Sequence, residues 1–205
     1  MAITTLAELR TRVRDWANRS DISNGTIDDF INTALDRAVR ILRLPVLEAT
    51  ATLTILDGGI AILPNDYLEA KELTVDYSGR TIGLERKDIN FVDKQASNAA
   101  GAPKYFARKQ NKLKIAPAPQ SGSTVDLYYY YSPDSLVEDT DTNWFVKFGN
   151  DMLLYGALVE LSLYIKNPEE AVQWEAKFGA AARDIQAMAD NAEWSGSTIT
   201  IRPQG

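Results

Sequence analysis

The segment LEATATLTILDGGIAIL, residues 47–63, decides the fold class. Ala49, Ala51, Leu53 and Ile55 alternate with Thr and Glu, which is the period of a half-buried strand, and Asp57-Gly58-Gly59 signals a tight turn before the apolar run Ile60 to Leu63. A β-hairpin therefore starts here, between regions whose period is helical.

Upstream, Leu6, Leu9, Val13 and Trp16 recur at helical spacing behind a Thr4 or Thr5 cap, and Asn18 to Gly25 interrupts them. Thr26 is the expected cap of a second helix, with Asp28 and Asp29 in its first turn and Ile27, Phe30, Ile31, Ala34, Leu35, Ala38, Val39 and Leu42 on one face; Pro45 ends it. Downstream, strands are expected over Ala70 to Tyr77, Thr81 to Leu84, Tyr105 to Lys109, Lys112 to Ile115 and Val125 to Tyr131, with a short helix around Asp88 to Gln95. Beyond the acidic loop Asp134 to Asp141, one long apolar helix is expected from Trp144 to Ile165. Pro168 opens another, in which Ala171, Trp174, Phe178, Ala181, Ile185, Met188 and Ala192 form a heptad-like seam.

The class expected from this order is α+β: a helical bundle built from N- and C-terminal helix pairs, with an inserted β-rich module and an extended C-terminal tail. The expected boundaries are 1–45 for the first helical pair, 46–142 for the β module, 143–194 for the second pair and 195–205 for the tail.

Composition narrows the chemistry. The 205 residues are 45% hydrophobic and 24% charged, as in folded globular domains, and include no Cys and no His. Thiolate nucleophiles, imidazole bases, disulfides and the usual zinc sites are excluded together. No basic-then-apolar leader opens the chain, so an intracellular product is expected, and the run Met152 to Ile165 is too short to span a bilayer, so no membrane association is expected. The net charge of −6 disfavours a general nucleic-acid binder, although residues 1–45 carry 7 basic against 6 acidic side chains.

Carboxylates and lysines are what remain. Asp66, Glu69 and Lys71 superficially resemble a Mg²⁺-dependent nuclease set, but their spacing is short and common, and a turn acid followed by alternating strand residues explains them. Glu138, Asp139 and Asp141 lack the spaced ligands and glycine of a Ca²⁺ loop and read as a solvated turn. No cofactor is expected. Lys104, Arg108, Lys109, Lys112 and Lys114 occupy a hairpin that has no acidic residue between Lys104 and Ile115; they suit either phosphate contacts or a soluble sheet edge. Arg37, Arg40 and Arg43 form a basic stripe on helix two, as Arg10 and Arg14 do on helix one, open to solvent, an acidic partner or a phosphate backbone. Tyr128 to Tyr131 mark a two-sided, central strand in the sheet core, with burial of one face against a neighbouring subunit as the alternative. In the tail, Ser197, Thr198, Ile199, Thr200, Ile201 and Arg202 could add as a strand to another subunit or simply fray.

Several stretches together resemble a known family: Leu63-Pro64-Asn65-Asp66-Tyr67-Leu68-Glu69, Pro103-Lys104-Tyr105-Phe106-Ala107 through Leu113 to Pro119, Leu127 to Tyr131, Asn143-Trp144-Phe145 and Asp151 to Glu160. The chain is similar to the head-to-tail adaptor (connector) proteins of tailed bacteriophages, the group that includes tail tubular protein A-like adaptors. The resemblance implies a structural virion protein without enzymatic activity, made in the bacterial cytoplasm and placed at the head–tail junction. There a ring, dodecameric in this group, sits between the portal protein and a nozzle or tail-tube protein, extends the channel for passing double-stranded DNA and serves genome ejection. It further makes residues 197–202 the candidate portal grip, and Arg37, Arg40, Arg43, Lys109 and Lys112 the candidate channel or partner contacts. A metal-dependent nuclease and a non-viral binding or scaffold module are the alternatives.

Overall fold

Thr5 starts the first helix, α1 (Leu6–Ala17): its hydroxyl accepts from the Glu8 backbone N–H while the Glu8 carboxylate accepts from the Thr5 backbone, a reciprocal capping box. Asn18 ends it in the left-handed conformation. The second helix, α2 (Asn24–Ile41), begins earlier than its sequence suggests. Ser23 is the cap and accepts from Thr26 N–H, so Asp28 and Asp29 fall beyond the first turn. A short 3₁₀ turn, Pro45–Leu47, leads out of it. The structure, a computed structural model, describes residues 3–96 and 101–194.

Next come β1 (Glu48–Leu56), β2 (Ile60–Ile62), β3 (Tyr67–Tyr77), β4 (Arg80–Gly83), β5 (Glu85–Arg86), α3 (Ile89–Ala96), β6 (Tyr105–Lys109), β7 (Lys112–Ala116) and β8 (Thr124–Tyr131). They form one eight-stranded sheet in the order β4-β3-β8-β1-β2-β7-β6-β5, antiparallel except for the parallel β5–β6 pair. This corrects the expected class: the described residues form a nearly closed, barrel-like mixed sheet with six helices, 46% helix and 25% strand, and not a helical bundle carrying a β-rich insert.

The physical reason lies in pairing. Periodicity identifies strands singly and joins neighbours into hairpins, whereas hydrogen bonds place β8 between β1 and β3 and run β1 on from β8 to β2. The curled sheet buries its own apolar face. Leu53, Ile55, Ala61, Leu73, Phe106, Leu113, Ile115, Val125, Leu127 and Tyr129 make a core that needs no helical cover. Register shifts in β3 against β8, between Tyr67 and Glu69 and between Ala70 and Glu72, bend the sheet.

The helices that follow are α4 (Trp144–Phe148), α5 (Asn150–Tyr164) and α6 (Pro168–Trp194). The single helix expected from Trp144 is broken at Gly149, whose φ of −124° and ψ of 28° leave the helical region. Asn143 caps α4 by accepting from Val146 N–H. Helix α5 is buried on almost every side, as a central helix must be. Two compact units result, Met1–Val46 with Pro133–Gly205 and Leu47–Ser132. In the first, Leu6, Leu9, Ile27, Ile31, Leu35, Leu153, Ala157 and Phe178 are buried. Along α6 the expected seam drifts: Ala171, Phe178, Ala181 and Ile185 are buried, but Met188 is exposed and Ala189 takes its place. A straight helix advances 3.6 residues per turn, so a 3.5 repeat rotates out of the contact.

Candidate functional site

Strands β6 and β7 carry the basic hairpin. Their alternation buries Phe106, Leu113 and Ile115 and leaves Lys109 and Lys112 exposed at the turn, directly opposite each other in the ladder. Gln110, in the turn between them, has a φ of 59°. The lysines border a cleft of about 250 Å³ whose apolar lining is Ile60, Ile89 and Leu113, and Lys114 and Asp93 complete its wall. Lys114 Nζ donates to the Gly58 carbonyl at 2.5 Å. Cationic side chains over an apolar floor suit an anionic group attached to something hydrophobic.

The arginine stripe of α2 is less uniform than its spacing suggests. Arg37 is held internally: its Nη2 donates to both Glu175 carboxylate oxygens, at 2.6 and 2.7 Å, its Nη1 lies 3.6 Å from Glu160, and its guanidinium covers the Phe178 ring at 4.5 Å. Arg43 turns back along the helix, where its Nη1 donates to the Val39 and Leu42 carbonyls. Arg40 is exposed. On α1, Arg10 is 5% exposed and forks onto Asp28 at 2.8 and 3.0 Å, with Nη1 on Asp139 at 2.7 Å. These bonds, led by the one to Asp28, raise its pKa against the cost of burial. Residues 197–202 lie outside the described residues.

The nuclease set does not assemble. Asp66 accepts from Tyr129 OH at 3.1 and 3.3 Å. Lys71 instead donates to Glu48 Oε1 at 2.5 Å and sits 5.2 and 5.4 Å from the Tyr128 and Tyr130 ring centres. The Tyr128 hydroxyl donates to the other Glu48 oxygen. Burial pushes the Glu48 pKa up, but the bonds from Lys71 and Tyr128 outweigh it and the net shift is down. Among the described residues no group of three or more acidic side chains is placed to hold a metal ion.

The acidic loop is a built element and not only a solvated turn. Leu6 and Ala7, at the start of α1, donate their N–H groups to the Asp141 and Asp139 carbonyls at 2.9 and 3.1 Å. Asn32 bonds both the N–H and the carbonyl of Leu136, each at 2.8 Å. The Asp141 carboxylate accepts from Val137 and Glu138 N–H, which lowers its pKa.

Sequence reasoning missed one cluster. Trp16, Tyr155 and Trp174 stand with ring centres 5.7–6.0 Å apart, and the Lys177 ammonium lies 4.4 Å from the Trp174 centre. The Trp174–Lys177 spacing of three on one helix was the only local signal. A second cleft of about 260 Å³ beside it is lined by Arg12, Trp16, Lys147, Asp151 and Tyr155 among others.

No helix of the described residues is long and apolar enough to cross a membrane. No curated protein matches the chain. The sequence model of one family, described as SU10 adaptor protein, matches residues 4–202. A bacteriophage adaptor of this kind is a structural, non-enzymatic component of the virion that associates with portal and tail proteins in an oligomer. With the match covering nearly all of its 205 residues, the chain belongs to the SU10 adaptor protein family of bacteriophage structural proteins.

Proposed function

We propose that the chain is a head-to-tail adaptor of the tail tubular protein A-like kind. It forms a ring, dodecameric as the resemblance implies, between the portal and a nozzle or tail-tube protein, extends the channel through which double-stranded DNA leaves the head, and docks the tail. The observation that carries this reading is the family match running from residue 4 to residue 202. The absence of Cys and His from the sequence supports a role in shape and contact rather than turnover. Residues 197–202 serve as the portal grip, their β-branched Thr198-Ile199-Thr200-Ile201 being suited to strand addition. Of the basic set, the exposed Arg40, Lys109 and Lys112 are the channel or partner contacts, while the guanidinium groups of Arg37 and Arg43 are bonded within their own unit.

Electron microscopy of the purified chain mixed with the portal protein of its phage tests the ring: an added annular layer is expected beneath the portal. Deletion of residues 195–205 should weaken co-sedimentation with portal while leaving the far-ultraviolet circular dichroism unchanged. Portal particles without added density at saturating chain would overturn the adaptor role, and undiminished co-sedimentation of the shortened chain would overturn the grip.

A further inference from the structure

We propose that the lysine-bordered cleft of one copy receives the Val137 loop of a second copy of this chain. The inference rests on the adaptor reading only in that copies must meet; its chemistry comes from two surfaces described separately above.

The cleft asks for a particular occupant. Lys109 and Lys112 face each other across the ladder, where like charges repel, so a carboxylate between them relieves a cost already present in the isolated chain. Among the described residues of the lining, three lysines stand against Asp93 and leave it cationic, and Ile60, Ile89 and Leu113 give it an apolar floor. A short acidic segment with one small branched side chain fits that description.

The loop after β8 offers such a segment. Val137 is 67% exposed, and the exposed carboxylates of Asp134 and Glu138 flank it, with Asp139 beyond them paired to Arg10. Its backbone is fixed beforehand. Leu136 is buried and clamped by Asn32, Asp141 caps Val137 and Glu138, and α1 holds the carbonyls of Asp139 and Asp141. A preorganised loop loses little entropy on docking, so a contact of modest area can still be specific.

Charge complementarity between two different surfaces of one chain commits the occupant to a second copy. A contact of this heterologous type repeats around a closed ring. The other basic cleft is a weaker partner, since Asp151 offsets Arg12 and Lys147 and leaves a smaller positive excess than three lysines against Asp93.

The lack of native cysteine makes disulfide trapping clean. Full-length chains carrying only Val137→Cys and only Ile89→Cys are mixed, oxidised and compared with a Val137→Cys and Lys147→Cys mixture. A mixed V137C–I89C dimer in several-fold excess over the control is expected. In that background Lys109→Glu with Lys112→Glu should reduce the product about tenfold, a change of roughly 1.4 kcal/mol, and Asp134→Lys with Glu138→Lys on the other chain should restore it. Absence of the dimer, equal trapping by K147C, or indifference to the charge reversals overturns the proposal. Portal co-sedimentation separates this failure from that of the adaptor reading: rings on portal without trapping sink the loop contact alone, whereas trapping without portal binding supports the contact and sinks the adaptor.

Discussion

A side chain's role depends on what surrounds it, and Arg10 is the plainest case. In the sequence it is one member of a basic stripe with Arg14; in the fold it is buried, because its partners Asp28 and Asp139 lie 18 and 129 residues away. Helical spacing reveals which residues share a face but not what the fold brings against that face. The two partners are unequal, since the Asp28 side chain is 16% exposed and that of Asp139 is 73% exposed. Arg10→Ala leaves the half-buried Asp28 carboxylate uncompensated and should cost about 3 kcal/mol. Asp139→Ala should cost under about 1 kcal/mol, as exposed pairs do. Urea unfolding of the two variants checks this, and equal losses would show that the exposed Asp139 arm, and not the Asp28 fork, carries the stability. The same limit explains Lys71: its strand was legible, but its partner Glu48, from a strand on the far side of β8, was not.

At the level of elements, the helices were legible because amphipathic period and cap chemistry are local. Their errors are local too. Ser23 displaced Thr26 as a cap, and Gly149 broke a stretch whose apolar residues resume at Met152. What no periodicity reveals is how closely two helices approach. A Cβ on Gly156 would stand 2.5 Å from the Ala34 Cβ and 3.1 Å from the Phe178 ring, so α5 meets α2 and α6 where only hydrogen fits. Gly156→Ala should therefore destabilise by about 1–3 kcal/mol despite its better helix propensity. Ala34→Gly in the same chain should recover part of the loss, because it removes the atom that clashes. Thermal melts of the single and double variants provide the test; a G156A chain as stable as wild type would mean that the helices separate at little cost.

Over the whole molecule, the sequence disclosed an order of helices, strands and helices but not the curling of the strands into a nearly closed sheet, since that curl depends on pairings such as Ala51 with Leu127 that span most of the sheet unit. The basic hairpin was legible as a run free of acid, and the acidic loop as a run free of base; that each was built to be presented required the clamps and the cleft. Charge at this scale bears on the proposed DNA channel, which would have to let duplex DNA pass without sticking. The chain carries a net charge of −6, Arg37 and Arg43 are bonded within their own unit, and the two exposed lysines at the β6–β7 turn are the basic pair best placed for phosphate. Two phosphate contacts give a salt slope of about −2, so weak binding of duplex DNA to the free chain should fall roughly tenfold between about 50 and 200 mM salt. If the proposed loop contact forms in a ring, those lysines are covered by a neighbour's acidic loop, and the slope should shrink toward zero. Fluorescence anisotropy of a labelled duplex, titrated with free chain and with portal-bound ring, measures both; tight, salt-insensitive retention by the ring would be incompatible with a conduit that releases the genome.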